Sequence, residues 1–226
     1  MVMAPFDKIT NTYTGAHAWM YETVVAPAVY ESRHAVDEHF LPHLPQNGYV
    51  LDVGCGGGMF TKYLADKRPD LRIVAIDLAQ PQIDRVRKRM AAYTDRVTFQ
   101  IGDATNLDFP DETFHGVLSY GSIKHWTDQS RGMGECIRVL KRGGPLLVTE
   151  ADRSATFEDA ERFITFYKAP RFLDRVNLAI FRTWIAGRAI DLDDGRRLAD
   201  RPDLVDVNVS RISGSPIMMI AGRRAP

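Results

Sequence analysis

Apolar positions along this chain recur with two periods, and the alternation between them lays out its elements. Short apolar runs at Val50–Val53, Leu71–Ile76, Val97–Ile101, Phe114–Ser119 and Leu146–Thr149 read as buried strands. Between them the period lengthens. Phe60, Tyr63 and Leu64 mark one side of a short helix that Pro69 closes, and Ile83, Val86, Met90 and Tyr93 make a single stripe on the next. Arg131 to Leu140 suits a further helix, with Lys141-Arg142-Gly143-Gly144 as its basic last turn and glycine stop. Strands alternating with helices at this interval predict an α/β fold with a doubly wound, mostly parallel sheet.

The two ends depart from that rhythm. Residues 1–46 read as an aromatic-rich helical cap, with a first helix interrupted at Pro27 and a second from about Val29 to Leu41. Residues 155–186 read as two helices broken at Pro170, and they hold Phe157, Phe163, Phe166, Tyr167, Phe172, Phe181 and Trp184. Val205–Ser210 and Ile217–Ala221 flank Gly214-Ser215-Pro216 closely enough to pair as an antiparallel hairpin.

At 226 residues and 45% hydrophobic, the chain has enough apolar material for a real core and fits one domain, or one domain with an insertion. Its 29 basic and 29 acidic residues cancel, so no global field favours nucleic acid or an anionic membrane. The two cysteines, Cys55 and Cys136, lack metal or disulfide-framework spacing. No signal peptide is visible and no run approaches the roughly 18 apolar residues of a membrane span. A cytoplasmic protein is expected.

The chemistry concentrates at one stretch. Val50-Leu51-Asp52-Val53-Gly54-Cys55-Gly56-Gly57-Gly58 reads as a strand ending in a glycine-rich turn that opens a helix, and the next strand ends on Asp77. Both strand ends fall at the carboxyl edge of a parallel sheet, where such sheets bind ligands. The glycines admit a ligand close to backbone N–H groups, and Asp77 can accept from a ribose diol. The bland alternative is a tight strand–helix turn with no ligand. Met59 stands at the sixth position of G-x-G-x-x-G, which leans away from a nicotinamide enzyme.

These motifs resemble the class I S-adenosylmethionine-dependent methyltransferases, close in pattern to the ubiquinone and menaquinone C-methyltransferases. The glycine stretch matches that family's cofactor loop, Asp77 its ribose-binding acid, and Gly102-Asp103-Ala104 its adenine-binding turn. Arg138-Val139-Leu140-Lys141-Arg142-Gly143-Gly144 resembles its R-V-L-K-P-G-G segment. The resemblance covers residues 48–150 and the final hairpin. It implies a Rossmann-like seven-stranded sheet with the last strand inserted antiparallel, a domain over residues 47–226, and a helical lid insertion at 155–190. It implies S-adenosylmethionine as cofactor, held by Asp52, Gly54, Gly56, Gly58, Asp77, Leu78, Asp103, Ala104, Ser119 and Tyr120. Three departures from the family pattern lie outside the cofactor loop: His115, Arg142, and the segment Ser122-Ile123-Lys124-His125-Trp126, of which only the last is expected to face the reaction centre.

The expected reaction is O- or N-methylation of a small aromatic or heteroaromatic metabolite. C-methylation of a quinone or lipid-like ring, and a noncatalytic cofactor-binding activator subunit, are the alternatives. His125 is the candidate base, one turn after the fourth strand, against a plain loop-orienting role. Lys124 is expected to face solvent. His17, Tyr21, Phe163 and Tyr167 are the candidate acceptor-site residues, drawn from the cap and the aromatic lid. The basic cluster Arg85, Arg87, Lys88 and Arg89 reads as a solvated helix face. No carboxylate cluster suggests a metal, no basic face suggests nucleic acid, and the aromatic lid suits a pocket roof or a dimer contact equally, so a monomer or homodimer is expected.

Overall fold

The computed structural model describes residues 21–226. The predicted strands form as β1 (Tyr49–Val53), β2 (Arg72–Asp77), β3 (Val97–Ile101), β4 (Gly116–Tyr120) and β5 (Pro145–Ala151). The hairpin adds β6 (Leu204–Arg211) and β7 (Ile217–Arg224), and the sheet order is β3-β2-β1-β4-β5-β7-β6. β1 to β5 run parallel, whereas β7 lies antiparallel between β5 and β6. This is the Rossmann-like seven-stranded arrangement that the motifs imply. The order reverses between β1 and β4, and that switch point opens a crevice at their carboxyl ends.

Alternate side chains of the central strands feed two cores. Ile73 and Ala75 of β2 point to one, Val74 and Ile76 to the other. The first core takes side chains from α1 (Ala26–Tyr30), α2 (His34–His39), α3 (Met59–Lys67), α4 (Gln80–Arg89) and, after α5 (Gln129–Val139), from α6 (Phe157–Ile164). The second takes Met133 and Ile137 from α5. Burial of a side chain such as Leu64, which is wholly enclosed, contributes about 2 kcal/mol by transfer alone.

The cap differs from expectation at Pro27. The chain runs through a wide i→i+5 turn, Tyr21–Val25, straight into α1, with Pro27 in the first turn of that helix. Proline at a helix start leaves no donor unpaired, so it does not interrupt the segment. The predicted second helix is two pieces, with a 3₁₀ turn at Glu31–Arg33 before α2. The cap packs directly on the sheet: a Cβ at Gly116 of β4 would meet Leu44 Cδ2 at 2.5 Å and the Phe40 ring at 2.9 Å.

The lid begins at Thr156, whose hydroxyl and the Asp159 carboxylate cap α6 reciprocally. Past Pro170, α7 (Asp174–Ile180) continues into a wide turn at Phe181–Ile185. A further helix, α8 (Leu192–Ala199), was not anticipated. Its signal is an Asp191/Asp194 capping box, and its buried Gly195 lets it sit against Met218 and Val209 of the hairpin. Among the described residues no helix is long and apolar enough to cross a membrane.

Candidate active site

A cleft of about 1050 Å³ opens at the switch point, between the loops that leave β1, β2, β3 and β4. Its floor is the glycine loop. Gly54, Gly56 and Gly58 all adopt left-handed φ angles, +74°, +49° and +78°, which side chains resist. The three serve different ends. A Cβ on Gly54 would lie 2.3 Å from Ser122 Cβ, and one on Gly58 2.4 Å from Val86 Cγ2. A Cβ on Gly56 would meet nothing within 4 Å. Gly54 and Gly58 therefore answer to packing, and Gly56 alone presents bare backbone to open space.

The loop is tied down by its neighbours. Gly54 and Cys55 N–H donate to Ile76 O at 2.8 and 2.9 Å. Gly56 N–H donates to Asp77 Oδ2 and Ala79 N–H to Asp77 Oδ1, each at 2.9 Å. Each Asp77 oxygen keeps a second lone pair. Arg89 Nη1 reaches back from α4 to Gly57 O at 2.7 Å. Leu78, 66% exposed, and Ala79 line the cleft, as does Asp103 from the loop after β3. Thr105 N–H and Oγ1 both donate to Asp103 Oδ1, fixing the carboxylate.

Burial tunes the charges. It pushes the Asp52 carboxyl up to about 7, with the Thr61 hydroxyl bond opposing and the Asp77 charge adding to the rise. Asp77 is raised by burial too, against its two backbone bonds. Burial lowers His125 to about 4; the Lys124 cation lowers it further and Glu150 opposes. His125 is thus a neutral imidazole at physiological pH.

A side chamber of about 20 Å³ adjoins the cleft, sharing Val29, Tyr120 and Gly121 with it. Val25, Phe163, Phe181, Ile185 and Ile217 give it apolar walls, and Lys124, Thr149 and Glu150 supply its polar groups.

Residues 50–144 match a family model described as a methyltransferase domain. The demethylmenaquinone methyltransferase of Symbiobacterium thermophilum is 32% identical over 167 residues, covering 71% of this chain and 61% of that protein. A chloroplastic 2-methyl-6-phytyl-1,4-hydroquinone methyltransferase of Oryza sativa is 32% identical over 150 residues, covering 61% of this chain and 42% of that protein. The chain thus spans about half the length of these curated relatives. A solved structure of Haemonchus contortus phosphoethanolamine N-methyltransferase 2, with phosphomonomethylethanolamine and S-adenosylhomocysteine, superposes with a TM-score of 0.69. That match is 17% identical and covers 100% of this chain and 61% of that one, which supports the fold.

The chain carries a class I S-adenosylmethionine-dependent methyltransferase domain.

Within this methyltransferase domain the cleft collects most of the predicted cofactor set: Asp52, the three glycines, Asp77, Leu78, Asp103, Ala104 and Tyr120. Ser119 is not among them. It is fully enclosed, and its hydroxyl pairs with Ser122 Oγ at 2.7 Å, while Ser122 Oγ donates to Val53 O. Alternation along β4 sends Ser119 away from the cleft that its neighbour Tyr120 lines. Tyr120 is itself pinned, stacked on Phe60 at 3.5 Å and hydrogen-bonded to Ser32.

His125 lines the cleft as expected. Lys124 does not face solvent: it is 12% exposed and ion-paired with Glu150 at 2.9 Å, because the 3₁₀ turn after β4 folds it back onto β5. Of the lid residues, Phe163 lines the side chamber, whereas Tyr167 reaches neither cavity wall and packs edge-on against Phe163. His17 and the side chain of Tyr21 lie outside the described residues. The basic face of α4 is only partly solvated, since Arg87 donates to Phe99 O and Arg89 to the glycine loop. Arg89 and Trp126 line the cleft unforeseen. Arg89 had a signal in its basic cluster; Trp126, bonded through Nε1 to Ser122 Oγ, had none beyond its place after β4.

Among the described residues no group of three or more His, Cys, Asp or Glu side chains is placed to hold a metal.

Proposed function

We propose that this domain binds S-adenosylmethionine in the cleft and methylates a small, uncharged aromatic or heteroaromatic acceptor at oxygen or nitrogen. The supporting observation is that a mostly apolar chamber adjoins the cleft, with Val29, Tyr120 and Gly121 lining both. The residues present fit the donor: open space over Gly56 admits a ligand to its backbone, and Asp77 retains lone pairs for a ribose diol. When bound, S-adenosylmethionine supplies an activated methyl group on a sulfonium sulfur.

The chain's own groups then have separate tasks. Asp77 accepts the ribose hydroxyls and Asp103 the adenine amino group, with Leu78 packing on the adenine. Tyr120 and Phe60 hold the wall between donor and acceptor sides. The lid and the cap exclude water and orient the acceptor. His125, neutral at working pH, takes the proton of an acceptor that arrives protonated.

A second reading, methylation at a ring carbon, is favoured by the relatives named for demethylmenaquinone and a phytyl hydroquinone. Incubation with methyl-labelled donor and a panel of phenols, hydroquinones and heteroaromatic amines separates these readings by the position of label in the product. A catalyst gives labelled product, and a noncatalytic activator subunit gives none. Activity should survive a chelator; a loss that magnesium restores would contradict the metal-free mechanism.

A further inference from the structure

Glu150, next to last in β5, lines the side chamber, and it is a buried charge that the proposed function does not use. It is 1% exposed. Its Oε1 accepts from Lys124 Nζ and from Ala151 N–H, both at 2.9 Å. Its Oε2 accepts Lys124 N–H at the long distance of 3.3 Å. A carboxylate offers about four lone-pair sites, so Oε2 retains acceptor capacity. An apolar pair of similar volume packs at least as stably as a buried ion pair. Packing alone therefore does not account for Lys124 and Glu150 here.

Their surroundings narrow the ligand. The chamber, at about 20 Å³, has room for about one water-sized group. Apart from the buried Thr149 hydroxyl and Tyr120 its other walls are apolar, and it shares Val29, Tyr120 and Gly121 with the cleft. The Lys124–Glu150 pair carries no net charge, so it draws neither a carboxylate nor an ammonium group. The group that fits is small, uncharged and a hydrogen-bond donor on the end of an apolar body.

We infer that the Lys124–Glu150 pair anchors a hydroxyl of the methyl acceptor, Glu150 Oε2 accepting its O–H while the ring lies toward the cleft. This rests on the proposed function and adds the substrate class, a hydroxylated ring. Lys124 holds the carboxylate in place through the 2.9 Å ion pair, and Glu150 makes the contact.

The test uses the full chain loaded with S-adenosylhomocysteine and two probes of nearly equal shape, hydroquinone and p-xylene, titrated by calorimetry or ligand-observed NMR. The wild type should prefer hydroquinone. Glu150→Gln should weaken hydroquinone about tenfold or more while S-adenosylhomocysteine affinity stays within about twofold. Because a single change in a buried pair can unfold the chain, the double variant Lys124→Met/Glu150→Leu supplies an apolar replacement. It should keep the S-adenosylhomocysteine affinity and reverse the preference to p-xylene. Normal S-adenosylhomocysteine binding without a hydroquinone preference, or a preference that survives in the double variant, overturns the anchor. Failure of the wild type to bind S-adenosylhomocysteine instead overturns the donor reading beneath it.

Discussion

The two halves of this cleft, proposed for the methyl donor and the acceptor, are built from different materials. The donor half is backbone: three left-handed glycines, two N–H groups on Asp77, and short turns after β1, β2 and β3. The acceptor half is side chains from distant segments. Ser32 bonds Tyr120 across 88 positions, Lys124 pairs with Glu150 across 26, and Phe163 and Phe181 close the chamber from the lid. A backbone-built site demands particular residue types at fixed spacing. A side-chain-built site depends on which groups packing brings together.

That contrast can be broken most forcefully on the acceptor side. Lys124→Met leaves a buried carboxylate without its cation and should cost about 3–5 kcal/mol of stability, read by urea denaturation. Adding Glu150→Leu should recover most of the loss. A single variant as stable as the wild type would mean that the pair is not buried as described.

Next in size are the glycines. Gly54→Ala combines a left-handed φ with a 2.3 Å approach to Ser122, and should lose about 3 kcal/mol. Gly56→Ala meets no protein atom, so it should lose only about 1 kcal/mol of stability yet weaken donor binding. Equal stability losses in the two variants would erase the distinction between packing and ligand glycines.

The first of these effects was not legible in the sequence, and the second only in part. The spacing from Gly54 through Asp77 to Asp103 singled out residues that the fold brings to one cleft, since glycine and strand-end carboxylates have few substitutes at such strand ends. That Gly54 and Gly58 are filled by Ser122 and Val86 was hidden, because those contacts depend on how α4 and the turn after β4 dock. The same docking buried Lys124, which local sequence had assigned to solvent, and turned Ser119 inward. The α8 helix was missed for a different reason: its capping box was legible, but its few apolar residues lacked a clear stripe.

Smaller effects concern protons. Asp52 sits at about 7 against an ordinary 3.8. The stability it contributes is therefore present at low pH and lost as pH rises through about 7. Asp52→Asn should gain stability relative to wild type across that window, measured by denaturation at several pH values; a parallel offset would show Asp52 does not titrate there. His125 has the opposite sign. Lowered from 6.5 to about 4, it loses stability as pH falls, and a reaction using it as base should keep its rate down to about pH 5. An acid limb at 6.5 that vanishes in His125→Asn would contradict its buried, neutral state.

The central claim is that the backbone-built half of the cleft binds S-adenosylmethionine through Asp77. Calorimetric titration of the wild type and of Asp77→Ala with S-adenosylhomocysteine tests it directly. Losing charge-assisted bonds to the ribose should weaken binding by about 100-fold, with the variant still folded. Equal affinity in the two proteins, or no binding by the wild type, would contradict the account.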